Sequence, residues 1–378
     1  TYFYFMTKKI IIKYGELWLK SPHIRNEFAK KLRRNVKSML MMANIEFEIL
    51  RERDRILITT EKVDESVEVL KRTFGVSQLV VSEEVDNDFE DIKAKALELA
   101  KNIGENETFA IRAKRKNKKY PMDSIEIEKG IAEGIDRKVD LSNPDKIIHV
   151  SVRGQTADIY TNKMRGEGGL PIGVSGRMLC LVSAGIDSPV AAWMMMKRGV
   201  IVDFITFYDE ESSPTVRKLL EQLKLYSPRE MRLYQVKYGE IQKELQRWAK
   251  KYTCVFCKRF MYKIAQEIAK ENKYNALVTG ENLSQVASQT IQNLTTQQKE
   301  LEMPVIRPLI GLDKIDIMAM AERIGTFGVS EKGKAKCPYV PDRPATKSDD
   351  DDIFHVEKMM DVNKIIKDAT ESAEMEMV

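Results

Sequence analysis

The sequence predicts an α/β protein in which two small α+β segments precede a doubly wound parallel sheet, and three observations carry that reading. From Val174 onward, short apolar stretches alternate with helical ones, as in a parallel sheet covered by helices on both faces. The first 75 residues read strand, helix, strand, strand, helix, the order of a ferredoxin-like α+β unit. The chain has 378 residues, more than one ordinary domain holds, and it falls into segments 1–75, 76–172 and 173–378.

In the first segment the expected elements are a strand Lys8–Lys13, a helix Asn26–Met42, strands Glu46–Leu50 and Arg55–Thr60, and a helix Asp64–Thr73. The first helix and its entry carry Arg25, Lys30, Lys31, Arg33, Arg34 and Lys37, either a solvated face or a surface for phosphates. In the second segment a helix Glu90–Ile103 and a strand Thr108–Ala113 lead into Arg112, Lys114, Arg115, Lys116, Lys118 and Lys119, with no acidic residue between 109 and 120. Concentrated positive charge supplies most of non-specific nucleic-acid affinity, so RNA contact is expected here in preference to a plain exposed loop. The net charge of +5 divides accordingly: +6 over residues 1–75, −2 over 76–172 and +1 over the remainder.

The third segment places strands at Met178–Val182, Val200–Phe207, Met231–Val236 and Asn275–Thr279, with a helix Pro189–Arg198 stopped by Gly199. Ligands of such sheets bind beyond the carboxyl ends of the strands. The first loop there is Ser183-Ala184-Gly185-Ile186-Asp187-Ser188, with Pro189 expected as the first helical residue. Its small residues let the backbone approach an anion at a helix start, where free N–H groups favour negative charge. Ser183 and Ser188 can donate to phosphate oxygens, whereas Asp187 would repel phosphate unless a cation intervenes, which makes it a candidate Mg²⁺ partner. The loop is not a Walker A sequence, because the Gly-Lys-Ser/Thr ending is missing.

Composition excludes whole classes. With 43% hydrophobic and 31% charged residues the chain is neither disordered nor collagenous nor fibrous. No apolar run approaches the ~20 residues that cross a bilayer, and Thr1–Phe5 lacks the features of a secretory signal, so a cytoplasmic protein without membrane partners is expected. Three histidines argue against a multi-histidine metal centre, and four cysteines are too few for a disulfide framework. Cys180 sits in an apolar strand and reads as core. Cys254 and Cys257 form a C-x-x-C that leaves three options open: a zinc half-site, a redox or persulfide pair, or structure. Cys337 follows Gly333 among Lys332, Lys334 and Lys336, surroundings that favour a reactive thiol.

The loop resembles the SGG-x-DS pyrophosphate (PP) loop of the ATP pyrophosphatases, with Ala184 in place of the first glycine. The string Val182 to Trp193 running on to Lys197-Arg198-Gly199, the string Thr279-Gly280-Glu281-Asn282-Leu283-Ser284-Gln285-Val286-Ala287-Ser288-Gln289-Thr290, and Lys258-Arg259-Phe260-Met261 resemble the ThiI family of tRNA 4-thiouridine synthetases. Phe109 to Arg115, with Lys118 to Pro121, is similar to the THUMP RNA-binding module that precedes that catalytic domain.

The resemblance implies a reaction in which ATP activates O4 of the uridine at tRNA position 8 and a persulfide sulfur displaces AMP. It implies ATP contacts at Leu181, Val182, Ser183, Gly185, Ser188, Thr206, Phe207, Lys258, Gly280 and Gln289, although Leu181, Val182 and Phe207 also suit a core, Gly280 a turn and Gln289 a loop cap. Arg307-Pro308-Leu309 with Asp313-Lys314 resembles a further motif. Lys314 would steady charge on the transferring phosphate, unless it is a solvated lysine of a first helical turn. Cys337 would receive or resolve the persulfide. The form expected lacks the C-terminal rhodanese domain of some members, so that sulfur comes from a separate donor such as a cysteine desulfurase. A homodimer and a link to thiamine synthesis are further implications. The competing readings are another PP-loop tRNA thiolase and a non-catalytic tRNA-binding protein.

Overall fold

The computed structural model describes residues 8–15, 21–51, 55–116, 118–210, 213–333 and 337–378. Two compact units, Thr1–Gly169 and Leu170–Val378, make up the chain.

The first unit opens with β1 (Lys8–Tyr14), α1 (Pro22–Met42), β2 (Glu48–Arg51), β3 (Ile56–Thr59), α2 (Val63–Lys71) and β4 (Val76–Asp86). α1 starts four residues before its expected Asn26, because Pro22 at the first helical position needs no hydrogen-bond partner for its nitrogen. Its buried side chains Leu32, Val36 and Leu40 recur every fourth residue, one helical face turned to the sheet. Then come α3 (Phe89–Ala100), β5 (Phe109–Arg115), α4 (Ser124–Ala132), β6 (Lys146–Arg153), β7 (Thr156–Tyr160) and β8 (Met164–Arg165).

Strand order in this unit is β2-β3-β1-β4-β7-β6-β5, with β8 pairing on β4. The order β2-β3-β1-β4 is the ferredoxin-like arrangement completed by β4. β4 pairs antiparallel with β1 on one side and with β7 and β8 on the other, so the expected boundary at residue 75 falls at the start of a strand common to both halves of one sheet. The second half has its own core, in which Ile92, Phe109, Ile127, Ile131 and Ile148 are fully buried.

The second unit contains β9 (Arg177–Leu181), α5 (Asp187–Lys197), β10 (Ile201–Tyr208), α6 (Pro214–Lys224), β11 (Arg232–Lys237), α7 (Gly239–Ala249), α8 (Thr253–Glu271) and β12 (Ala276–Val278). It continues with α9 (Ile291–Gln298), β13 (Val305–Ile306), α10 (Lys314–Arg323), α11 (Phe327–Lys332), α12 (Asp350–Lys358), α13 (Val362–Glu371) and β14 (Glu374–Met377). Strands run β13-β12-β9-β10-β11-β14. The first five are parallel, as the alternation of strand and helix predicts. β14 departs from an all-parallel sheet by joining the β11 edge antiparallel. Its sequence Glu-Met-Glu-Met, largely exposed, lacks the apolar run that marked the other strands.

α5 begins at Asp187, so Pro189 is its third residue rather than its first. The helix ends as expected at Gly199, whose φ of +85° is the left-handed geometry of a helix C-terminus and whose carbonyl oxygen accepts the amides of Gly173, Val174 and Ser175. Among the described residues no helix is long and apolar enough to cross a membrane.

Candidate functional site

At the carboxyl end of β9, the central strand, the chain makes the loop 182–186 and enters α5. Val182 N–H still donates to the Ile205 carbonyl at 2.9 Å, which sets Thr206 and Phe207 of β10 beside the loop. Ser183 N–H donates to Ser188 Oγ at 3.0 Å, Ser188 Oγ–H to the Ser183 carbonyl at 3.4 Å, and Gly185 N–H to Ser183 Oγ at 3.3 Å. The two hydroxyls therefore brace the loop that they were expected to equip for phosphate. Ile186, at the start of α5, offers no side-chain cap, which leaves the first amides of the helix for an anion. Leu181 is partly buried against the core and Val182 is buried, so both serve the packing that their apolar character suggested.

The second sequence string is bound to the neighbouring strand. Thr279 N–H donates to the Ile306 carbonyl and Leu283 N–H to the Ile310 carbonyl, each at 3.1 Å. Gly280 then lies directly on the start of α5: a Cβ there would stand 2.6 Å from the Ser188 nitrogen and 2.7 Å from the Asp187 carbonyl carbon. Close backbone contact, more than turn geometry, accounts for the glycine. Gln289 is 8% exposed, and its Oε1 has no hydrogen-bond partner among the described residues. Its backbone carbonyl accepts the Ser284 amide at 2.9 Å, which ties it to the segment whose Gln285 reaches Asp187.

Charged groups gather on the same edge. Lys314, first residue of α10, donates to Asp187 Oδ1 at 2.5 Å, and Gln285 Nε2 donates to Oδ2 at 3.2 Å. Lys314 is thus paired with the loop, not merely solvated, and Gln285 is a partner that sequence reasoning passed over. Lys258 of α8 donates to Glu281 Oε1 at 2.9 Å. Burial pushes the Glu281 carboxyl up, but the Lys258 and Arg307 charges and the Tyr262 hydroxyl more than reverse this and hold it below the ordinary carboxylate range.

One face of the thiol group is defined by Gln242 of α7, whose Nε2 is 3.9 Å from both Cys257 Sγ and Cys337 Sγ. Cys337 is exposed, whereas Cys254 and Cys257, second and fifth residues of α8, are partly covered. Burial, with a contribution from the Cys337 thiol, pushes Cys257 up to about 12; Cys254 is raised by burial and by Cys337 and lowered by Lys258. Cys180 is fully buried and raised by desolvation, consistent with a core thiol. Of the lysines expected to surround Cys337, Lys332 ends α11, while Lys334 and Lys336 lie outside the described residues. Among the described residues no group of three or more His, Cys, Asp or Glu side chains is arranged to hold a metal ion.

The first unit holds a separate cavity of about 730 Å³ lined by Arg112, Lys114, Arg115 and Lys116 and by Lys13, Arg55, Arg153 and Lys163, with no acidic residue in its wall among the described residues. Lys118 and Lys119 are exposed and stand outside it. Arg115 donates to the Tyr120 carbonyl at 3.1 Å, pinning the basic turn. Lys13 is lowered by burial and then by the charges of Lys163, Lys114, Arg153 and Lys116. His149 of β6 is lowered to about 4 by burial and by Lys163, Lys13, Lys114 and Arg112. Lys13, His149 and Lys163 come from β1, β6 and the segment before β8. No local charge run marks them, and sheet pairing alone brings them to the wall.

Residues 173–362 match the family described as "Thiamine biosynthesis protein (ThiI)", residues 9–79 the ThiI ferredoxin-like domain and residues 86–162 the THUMP domain. The chain is 39% identical to a "Probable tRNA sulfurtransferase" of Methanocaldococcus jannaschii, covering 89% of this chain and 93% of that protein. It is 37% identical to one of Thermoanaerobacter pseudethanolicus, over 96% and 98% of the two chains. Among solved structures it superimposes with a TM-score of 0.90 and 32% identity on a 4-thiouridine synthetase in complex with RNA and bound ATP, covering 98% of this chain and 100% of that one. With family matches to all three segments and relatives aligned over nearly their whole length, the chain belongs to the ThiI family.

Proposed function

We infer that this protein is a tRNA sulfurtransferase that uses ATP to activate O4 of a uridine, at tRNA position 8 by family resemblance, and replaces that oxygen with sulfur to give 4-thiouridine. The observation that carries the reading is the convergence, at the carboxyl edge of one parallel sheet, of an uncapped helix start, the close-packed Gly280 and the Lys314 ammonium on Asp187. Those features fit ATP: the α5 amides and the loop backbone receive its phosphates, and Gln289 accepts a donor from the nucleotide. Lys258 and Lys314 meet the negative charge that grows as pyrophosphate departs. A carboxylate has about four acceptor positions and Asp187 uses two, so it can also hold Mg²⁺ together with phosphate oxygens.

Cys337, exposed beside Cys257, is the proposed acceptor of sulfur from a separate persulfide donor such as a cysteine desulfurase. When its outer sulfur attacks the activated carbon, AMP leaves and the base stays joined to Cys337 through a disulfide. A thiol of Cys254 or Cys257 then attacks the Cys337 sulfur, frees the thio-base and closes a protein disulfide, which an external dithiol reduces. The basic cavity and Lys118 and Lys119 are the proposed tRNA contacts. Incubation with ATP, Mg²⁺, a desulfurase, cysteine and unmodified tRNA should generate the absorbance of 4-thiouridine, and Cys337→Ser should abolish it. Full turnover by that variant would remove Cys337 from the mechanism, and no product from the wild type would remove the function.

A further inference from the structure

Glu281 follows Gly280 and takes no part in the steps proposed for ATP. Its side chain is 5% exposed, and four donors from three segments converge on it. Lys258 Nζ reaches Oε1 at 2.9 Å; the Tyr262 hydroxyl, Arg307 Nε and Thr279 Oγ1 reach Oε2 at 2.5, 2.8 and 3.2 Å. Tyr262 lies one turn beyond Lys258 on α8, and Arg307 follows β13. Arg307 is anchored in turn, donating through Nη1 to Gln298 Oε1 at 2.8 Å.

A carboxylate removed from water has to be matched by cations and hydrogen-bond donors that stay in place. Here two cations, Lys258 and Arg307, share this one carboxylate, one residue from the Gly280 that packs on the start of α5. The second amino group of Arg307, Nη2, is buried without a hydrogen-bond partner among the described residues, and Lys258 stays 27% exposed with one of its three N–H donors on Glu281. We propose that Glu281 is a positioning residue for the nucleotide: Tyr262, Thr279 and Arg307 fix its carboxylate, and the fixed carboxylate orients the Lys258 ammonium so that its other donors meet the phosphates. Arranging a contact residue through a rigid buried partner lessens what ordering a free lysine would cost on binding.

This rests on Lys258 being an ATP contact, and the test separates the two ideas. ATP·Mg²⁺ is titrated by calorimetry into the full chain as wild type, Lys258→Ala, Glu281→Gln and the double variant, with melting temperatures measured alongside. Lys258→Ala should weaken binding, and Glu281→Gln should weaken it by about 10- to 100-fold, the usual effect of removing an orienting partner. Because Glu281 acts through Lys258, the double variant should be no weaker than Lys258→Ala within about threefold. Additive losses, or a lower melting temperature for Glu281→Gln with unchanged affinity, would make the carboxylate a structural staple and overturn the proposal. Wild-type affinity in Lys258→Ala would instead overturn the reading of Lys258. Should Glu281→Gln not fold, Glu281→Asp keeps the charge while drawing it back from Lys258. Weaker ATP binding by that variant supports the proposal and unchanged binding refutes it.

Discussion

Gly280→Ala tests whether the backbone of the second signature forms part of the nucleotide cradle. The added Cβ would meet Ser188 N at 2.6 Å, the Asp187 carbonyl carbon at 2.7 Å and Ser188 Cα at 2.8 Å, all backbone atoms that no rotamer change can remove. Ordinary carbon contacts lie at ~3.5–4.0 Å, so the start of α5 and the loop must separate by about 1 Å. Overpacking of this kind lowers stability by about 1–3 kcal/mol. The larger effect is on function: a shift of about 1 Å in groups that position a substrate can reduce rate by ~100-fold. Calorimetry with ATP·Mg²⁺ should show severely weakened binding in a protein that still melts cooperatively. Its affinity for tRNA, assigned to the first unit, should stay at the wild-type level. Gly280→Ala that binds ATP and thiolates tRNA as the wild type does would refute the close packing of these two segments as a requirement.

Four further outcomes follow from the geometry. His149, held near 4 in the folded state against an ordinary value of 6.5, is protonated first in the unfolded chain; stability is therefore lost as pH falls from about 6.5 toward 4, by about 1–2 kcal/mol after solvent screening. A His149→Gln variant melted across that window should show a flatter profile, and NMR titration should find the imidazole value raised when RNA fills the cavity. Replacing Lys114 or Lys116 with alanine should weaken tRNA binding and lower the slope of log affinity against log salt by about 1 per residue. Arg259→Ala removes a fully buried guanidinium that donates to Glu357 at 2.8 Å and to the carbonyls of Thr296 and Lys299 at 3.0 and 2.7 Å; stability should fall by about 3–5 kcal/mol, read from denaturant unfolding. Alkylation at pH 8 followed by peptide mapping should label exposed Cys337 well before Cys257, whose thiol burial holds at about 12.

Local chemistry, written in short stretches of sequence, determined much of this protein. Alternation of apolar strands with helices foretold the parallel sheet, small residues between β9 and α5 foretold the turn into that helix, and four of six clustered basic residues line one wall of the cavity. Each of these is a property of neighbours in the chain: side-chain periodicity, steric permissiveness, charge density. What tertiary structure alone decided are the partnerships. Lys314 reaches Asp187 across 127 positions of sequence, and Gln285 does so across 98. Glu281 gathers Lys258 and Tyr262 from α8 and Arg307 from beyond β13, and Lys13, His149 and Lys163 complete a cavity whose other part was plain in the sequence. Such contacts arise from strand register and helix packing, which place residues with no common periodicity within a few ångströms of one another. The same packing brings Cys337 to Cys257, a meeting that neither the C-x-x-C spacing nor the lysines around Cys337 encode.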